Sequence, residues 1–376
     1  MKMGRPVKLV NINIDCDYRK HGAPMKALVL SGGKGTRLRP LTVTCAKQLI
    51  PVANKPILGY VLDQVAETLI KEVGIIIAPE TGNYVKEYVE NGEKWKIKIT
   101  YIPQEPLGLA HAVKTAKKFL GDDSFIMCLG DNVTGQGVKR LVQKFEDENL
   151  DSLIVLKQVE DPTRFGIAQL DKKGNITKLV EKPKTPMGNL AIIGTYLFSN
   201  KVHKAIERIK PSWRGELEIT DAIQEMVNMG FKVKAEILNS WWLDTGKKDD
   251  ILSANAKILD EYIERDIKGA VTNSLIEGRV KVETEAKITD STVRGPCIIG
   301  KNTTVEKSFV GPYTSIGDNS QVINSHLEYC VLLENVVVKD VERIEESLIG
   351  KNARVSKNTK RSIIKLHIGD FSEVEV

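Results

Sequence analysis

The stretch Leu28-Val-Leu-Ser-Gly-Gly-Lys-Gly-Thr-Arg-Leu-Arg-Pro-Leu-Thr42 sets three glycines, a lysine and two arginines behind a short apolar run. A glycine-rich turn leaving a buried strand exposes consecutive backbone N–H groups to a phosphate, because no Cβ blocks the approach. Two familiar phosphate loops are excluded. The P-loop pattern wants Gly-Lys-Ser/Thr after four free positions, whereas Lys34 sits inside the glycines. The dinucleotide fingerprint wants a third glycine where Leu38 stands. The loop is therefore a different phosphate cradle or an ordinary surface turn. Further charged side chains recur in short motifs: Lys47 in Ala46–Val52, Asp131 in Leu129-Gly-Asp-Asn132, and Lys182 in Glu181-Lys-Pro183. Arg214 opens Arg-Gly-Glu-Leu-Glu-Ile-Thr-Asp221, and Asp244 lies in Trp242-Leu-Asp-Thr-Gly246. Taken singly, Asp131 could cap a helix, and Lys47 or Lys182 could be solvated.

The elements that must position these residues are legible from apolar patterning. Met25–Leu30 reads as a buried strand, and 73–78, 125–129 and 152–157 read likewise. Helix-like segments, among them 57–70 and 109–120, separate them, which predicts βαβ units and a mixed, mainly parallel sheet over 25–265. In such Rossmann-like α/β sheets, ligands sit beyond the carboxyl ends of strands, where the 31–37 loop and the 130–132 turn both fall. After about residue 267 helical periodicity disappears. Aliphatic residues then recur roughly every six positions: Ile288, Val293, Ile299, Val305, Val310, Ile316, Val322, and onward to Ile349, Val355 and Ile363. Ile299-Gly-Lys-Asn, Ile316-Gly-Asp-Asn and Ile349-Gly-Lys-Asn repeat one corner, which predicts a parallel β-helix over 266–376 rather than a sandwich. Residues 1–24 carry no long apolar stretch, so they read as an extension or an early start codon rather than a signal peptide.

Bulk properties bound the partners. A formal charge of +6, spread along 376 residues, argues against a nucleic-acid partner and fits a site for anionic small molecules. Five scattered cysteines, without paired spacing, point to a reducing cytoplasm, and no run approaches a membrane span.

Read together with Gln104-Glu-Pro-Leu-Gly-Leu-Ala110, these motifs in this order resemble the sugar-phosphate nucleotidylyltransferases. Within them they resemble the long-form branch that transfers a thymidylyl group to glucose 1-phosphate, with an appended left-handed β-helix. The resemblance implies that a sugar 1-phosphate oxygen attacks the α-phosphorus of dTTP, with Mg2+ as the metal, in a homo-oligomer. No general base is required, because the nucleophile is already an anion, so catalysis is positioning plus charge neutralisation. By resemblance, Leu30, Gly32, Gly33, Gly35, Thr36 and Arg37 cradle the triphosphate, and Lys47 holds its α-phosphate side. Gln104, Pro106 and Gly108 belong to the base loop, an amide being able to satisfy both a donor and an acceptor of a pyrimidine edge. Asp131 and Asp244 share the metal. Asn132, Gly166, Glu181 and Glu216 contact sugar hydroxyls, while Lys182 and Arg214 hold the sugar phosphate. Arg37, Lys47, Lys182 and Asp131 form the catalytic set.

Three alternatives stay open. UTP differs from dTTP by one methyl, worth about 1–3 kcal/mol in an apolar site. Some relatives with a β-helix also transfer acyl groups, for which His326 is the candidate base. A non-catalytic, nucleotide-binding subunit is the third, against which the intact Arg37, Lys47, Asp131 and Asp244 argue. Trp241 and Trp242 read as packing beneath the Asp244 turn.

Overall fold

The structure, a computed structural model, describes residues 25–357 apart from 34, 40, 44 and 186, together with the short strands His367–Ile368 and Glu373–Glu375. The 1–24 extension, Lys34 and Ile363 lie outside the described residues.

The chain opens with Met25–Ser31 (β1), the hairpin Pro51–Val52 (β2) and Lys55–Pro56 (β3), and Ile57–Ala66 (α1). Glu72–Ile77 (β4), Gly82–Val89 (α2), Lys98–Pro103 (β5), Leu109–Thr115 (α3) and Lys117–Leu120 (α4) follow. Next come Ser124–Leu129 (β6), Asn132–Thr134 (β7), Lys139–Asp147 (α5), Ser152–Gln158 (β8), Gly166–Leu170 (β9) and Ile176–Glu181 (β10). Leu190–Phe198 (β11), Val202–Ile206 (α6), Ile219–Asn228 (α7), Val233–Ile237 (β12), Trp242–Asp244 (β13) and Lys248–Tyr262 (α8) complete this part.

The main sheet runs β10-β9-β11-β6-β1-β4-β5, with β8 beside β11 and β12 beside β8. Its nucleotide-loop half is parallel, Leu28 of β1 lying between Met127 and Gly74, while β11 pairs antiparallel with β6, β8 and β9. Strand β1 is apolar without alternation because both its faces are covered. Ala27 and Val29 enter one core with α1 and α8, and Leu28 and Leu30 enter a second with α3, α6 and α7.

Two helices differ from expectation. The 57–70 helix ends at Ala66, where the Thr68 hydroxyl bonds the Val65 carbonyl at 2.6 Å and Leu69 turns to a φ of 67°. The 109–120 run is two helices, broken where Ala116 takes a ψ of −1°.

From Asp266–Ile267 onward, short strands stack into three parallel sheets, a left-handed β-helix. Ile288 pairs with Val305 and Val305 with Val322, so one coil takes about 17 residues and the all-parallel pairing excludes a sandwich. The expected aliphatics from Ile288 to Val355 all point into the coil and are buried. At the corners it is the asparagine that turns. Asn302, Asn319, Asn335 and Asn352 all adopt positive φ between 53° and 60°. Their side chains bond between successive coils, Asn302 to Asn319 and Asn335 to Asn352, each at 3.0 Å. One outer face of the coil, with Ile298, Val331, Leu333 and Leu348, joins the same core as Ile50, Val52 and Ile57.

Candidate active site

Strand β1 delivers the glycine loop to the carboxyl edge of the sheet. The Leu30 carbonyl accepts the Gly130 N–H at 2.9 Å, which joins this loop to the turn that carries Asp131. Gly32 is half-buried and Gly33 exposed. Gly35 has a φ of 62°, and a Cβ there would stand 3.0 Å from Thr42 and 3.1 Å from Lys47, so the tight turn requires glycine. Thr36 and Arg37 lie on a 3-10 turn, both exposed, and Arg37 has no ion pair among the described residues. Its guanidinium is open to an anion.

Lys47 starts another 3-10 turn, and its Nζ is paired with Asp131 Oδ2. The pair is only 12% and 16% exposed at the side chains, so screening by water is slight. Burial opposes ionisation of Asp131, but the Lys47 charge and hydrogen bonds from Lys47 and Asn132 outweigh it and hold the carboxyl below its usual range.

Asp244 reaches Asp131 by a route other than the edge of the main sheet. Strands β7 and β13 form a separate antiparallel ribbon in which Asp244 faces Asn132, next to Asp131. Thr245 locks the junction, its N–H and hydroxyl both donating to the Asp131 carbonyl, at 3.3 and 3.0 Å. Burial, then the neighbouring Asp131 charge, pushes the Asp244 carboxyl up to about 6. Two carboxylates thus share a crevice with one lysine, an excess of negative charge suited to a cation.

The 104–108 loop is built on the end of β5. Gln104 is buried, and its Nε2 donates to His111 Nδ1 at 2.9 Å and to the Gly108 carbonyl at 3.4 Å. Burial, and then the charge of Lys114, lowers the His111 pKa and favours the neutral ring, whose Nδ1 is the acceptor in the tautomer that the Gln104 N–H faces. Pro106 is half-buried between them. Gly108 has a φ of 108°, and a Cβ there would fall 2.3 Å from the Leu217 carbonyl oxygen. That close approach lets the Leu217 N–H bond the Leu107 carbonyl at 2.9 Å and the Ala110 N–H bond the Leu217 carbonyl at 3.0 Å. The 104–108 loop is thereby fastened to the segment that carries Arg214 and Glu216.

That segment completes a charged cluster. Arg214 contacts Glu216 at 2.7 Å, Glu218 at 3.1 Å and Glu181 at 3.8 Å, and Lys182 lies 3.8 Å from Glu181. Gly166 starts β9 directly opposite Glu181 at the end of β10. Burial raises the Glu181 carboxyl, against a 2.6 Å hydrogen bond from Thr220. Lys182 takes a positive φ of 41° while its N–H bonds the Phe165 carbonyl at 3.0 Å.

Several contributors escaped the motif reading. Trp242 does more than pack: its indole N–H donates to Asn132 Oδ1 at 2.7 Å, which leaves the Asn132 amide N–H to donate to Asp131 at 2.9 Å. His111 orients Gln104 from outside the quoted motifs, while within the 214–221 motif Thr220 bonds Glu181 and the buried Glu218 bonds Arg214, roles the sequence does not state. No group of three or more metal-ligating side chains occurs among the described residues. His326 lies on the outside of the β-helix against the Phe309 ring, 4.4 Å between centroids, far in sequence from every residue above.

A family profile described as nucleotidyl transferase matches residues 26–261. A glucose-1-phosphate thymidylyltransferase from Streptomyces antibioticus is 44% identical, the match covering 94% of this chain and 99% of that protein. The bifunctional protein GlmU of Methanococcus aeolicus is 35% identical, over 89% of this chain and 80% of that one. Among solved structures, one assigned as a glucose-1-phosphate thymidylyltransferase from Bacillus anthracis, in complex with sucrose, aligns with a TM-score of 0.60 at 32% identity. It covers 64% of this chain and 98% of its own.

Proposed function

The chain belongs to the nucleotidyl transferase family, and on that premise we propose that it transfers a thymidylyl group from dTTP to glucose 1-phosphate, releasing dTDP-glucose and pyrophosphate. The near-full-length likeness to the Streptomyces enzyme carries this reading. The site's charge layout supports it: an open arginine and a glycine loop at one end, an arginine–lysine cluster at the other, and paired carboxylates between.

The residues act by placement. A phosphate oxygen of the sugar 1-phosphate forms the new bond to the α-phosphorus as the bond to pyrophosphate breaks, and no proton moves. Gly32, Gly33, Gly35, Thr36 and Arg37 hold the outer phosphates that depart. Lys47, kept in place by Asp131, faces the charge that builds around the α-phosphorus. Gln104 is aimed by His111 and the Gly108 carbonyl, which take its two N–H groups, so its Oε1 is left to accept the ring N–H of a thymine edge. Lys182 and Arg214 offset the sugar phosphate's charge, while Asn132, Gly166, Glu181 and Glu216 receive the hydroxyls. Asp131 and Asp244 would hold Mg2+, which favours one or two carboxylates plus phosphate oxygens and supplies charge neutralisation at the transferring group. We place the catalytic part at 25–265 and the β-helix at 266–376, in a cytoplasmic protein. No described helix is long and apolar enough to cross a membrane, and buried Cys128, Cys297 and Cys330 are free thiols.

Pyrophosphate release, screened over dTTP, UTP, CTP, GTP and ATP against a panel of sugar 1-phosphates, tests the reading. The fastest turnover is expected with dTTP and glucose 1-phosphate, with UTP next. Preference for a purine triphosphate, or no turnover with any pair, overturns it.

A further inference from the structure

The 3-10 turn Lys47–Leu49 runs straight into the hairpin β2–β3, whose tip, Ala53-Asn54, adopts φ values of 47° and 58°. That tip does not rest on the nucleotide-binding sheet. Asn54 Nδ2 donates to the Ile316 carbonyl of the β-helix at 2.7 Å. The Ala53 N–H donates to Asn255 Oδ1 at 2.8 Å. Asn255, on α8, is 1% exposed and is itself anchored in the same coil. Its Oδ1 also accepts the Ser315 hydroxyl at 2.6 Å, and its Nδ2 donates to the Tyr313 carbonyl at 2.9 Å. One buried amide therefore joins the hairpin, α8 and a single β-helix coil.

Apolar packing and directed bonds act together on this hairpin. Ile50, Val52 and Ala53 are buried in the core that Ile298, Val331 and Leu333 of the coil share. Apolar contact is non-directional, and the bonds of Asn54 and Asn255 fix the orientation of the tip on the coil. A side chain that must face a transferring phosphoryl group tolerates little displacement, since an error of about 1 Å can lower the rate on the order of a hundredfold.

We propose that the coil Tyr313–Ile316 of the β-helix positions Lys47 for catalysis, with Asn255 and Asn54 as the positioning residues. This rests on the role given to Lys47 above. The test measures kcat and KM of the full-length protein carrying Asn54→Gly, Asn255→Leu or Lys47→Met, and each asparagine change combined with Lys47→Met. Glycine preserves the positive φ at the tip, so Asn54→Gly removes only the amide bond. It should lower kcat about tenfold, and Asn255→Leu up to about a hundredfold, with KM for glucose 1-phosphate unchanged. Against Lys47→Met, neither asparagine change should lower the residual rate further, because residues acting through one group are non-additive. A merely structural role would give the same proportional loss in both backgrounds, and that result, or an undiminished kcat in Asn54→Gly, overturns the inference. Should Asn255→Leu fail to fold, Asn54→Gly decides alone. Parent-level kcat in Lys47→Met would refute the role of Lys47 itself, and this inference with it.

Discussion

Asp244→Asn should make the metal-free protein more stable and the enzyme nearly inactive. The Asp244 carboxyl is pushed up to about 6 from an ordinary 3.8, first by burial and then by the Asp131 charge, with Asp250 adding to the rise and Lys47 and Arg164 opposing it. A folded-state pKa above the unfolded one means that the fold disfavours the ionised form. The penalty is complete above about pH 6, shrinks as the pH falls toward 3.8, and is absent below. At about 1.4 kcal/mol per tenfold change, the rise corresponds to an upper figure of about 3 kcal/mol, and solvent at the half-exposed edge reduces it to about 1–3 kcal/mol. Asparagine keeps the shape and discards the charge. No hydrogen bond is forfeited among the described residues, since the Asp244 carboxylate makes none. Urea or thermal unfolding with a chelator at pH 7.5 should therefore show the variant to be the more stable, the advantage fading as the pH is lowered from 6 to 4. Added Mg2+ should stabilise the parent and not the variant, because binding to the native state alone raises stability. Turnover should fall by a hundredfold or more, on the order of the loss of one stabilising group at a charged transition state. A variant no more stable than the parent at pH 7.5 without metal, or an advantage that ignores pH, would refute the electrostatic reasoning.

Gln104→Ala should raise the KM for dTTP about tenfold or more while that for glucose 1-phosphate changes little, an unpaired base edge costing about 1–3 kcal/mol. His111→Phe, measured the same way, should reproduce part of that rise by freeing the Gln104 amide. Gly108→Ala should lower both stability and activity, because the added carbon collides with the Leu217 backbone; an unaltered melting temperature would show that the base loop moves freely. His326→Ala should leave thymidylyl transfer intact, and the parent should not consume acetyl-coenzyme A; turnover that vanishes in the variant would reveal an acyltransferase.

The sequence shows the fold most clearly where burial imposes a period. Ala27 to Leu30 read as a strand because both faces are covered, and the sixfold aliphatic spacing from Ile288 named inward positions of the coil, though not Cys297, Cys330 or Ala353, which are buried there too. Helix ends were less legible: nothing in 57–70 announced that the Thr68 hydroxyl would close α1 four residues early. The charged site residues came from motif order, which names side chains but not their neighbours. That Asp131 and Asp244 meet through the β7–β13 ribbon depends on a pairing between distant segments, and short strands of three residues carry too little pattern to foretell it. Trp242 and His111 were hidden for the same reason. Their roles lie in a single hydrogen bond each, and a lone tryptophan or histidine looks in sequence like any core residue.

The coil's repeat has a consequence for how such proteins vary. Each turn of the β-helix touches only the turn before and after it, so its stability is close to a sum of nearest-neighbour terms. The catalytic part grips the coil from Arg279, which bonds Asp260, through Tyr313–Ile316 to Leu348. Turns beyond that grip can be gained, lost or decorated without a strain that travels back to Lys47. The distal end is thus free to diverge in length and cargo among descendants while the chemistry at the other end stays fixed, and a designer could graft new turns there as one lengthens a handle.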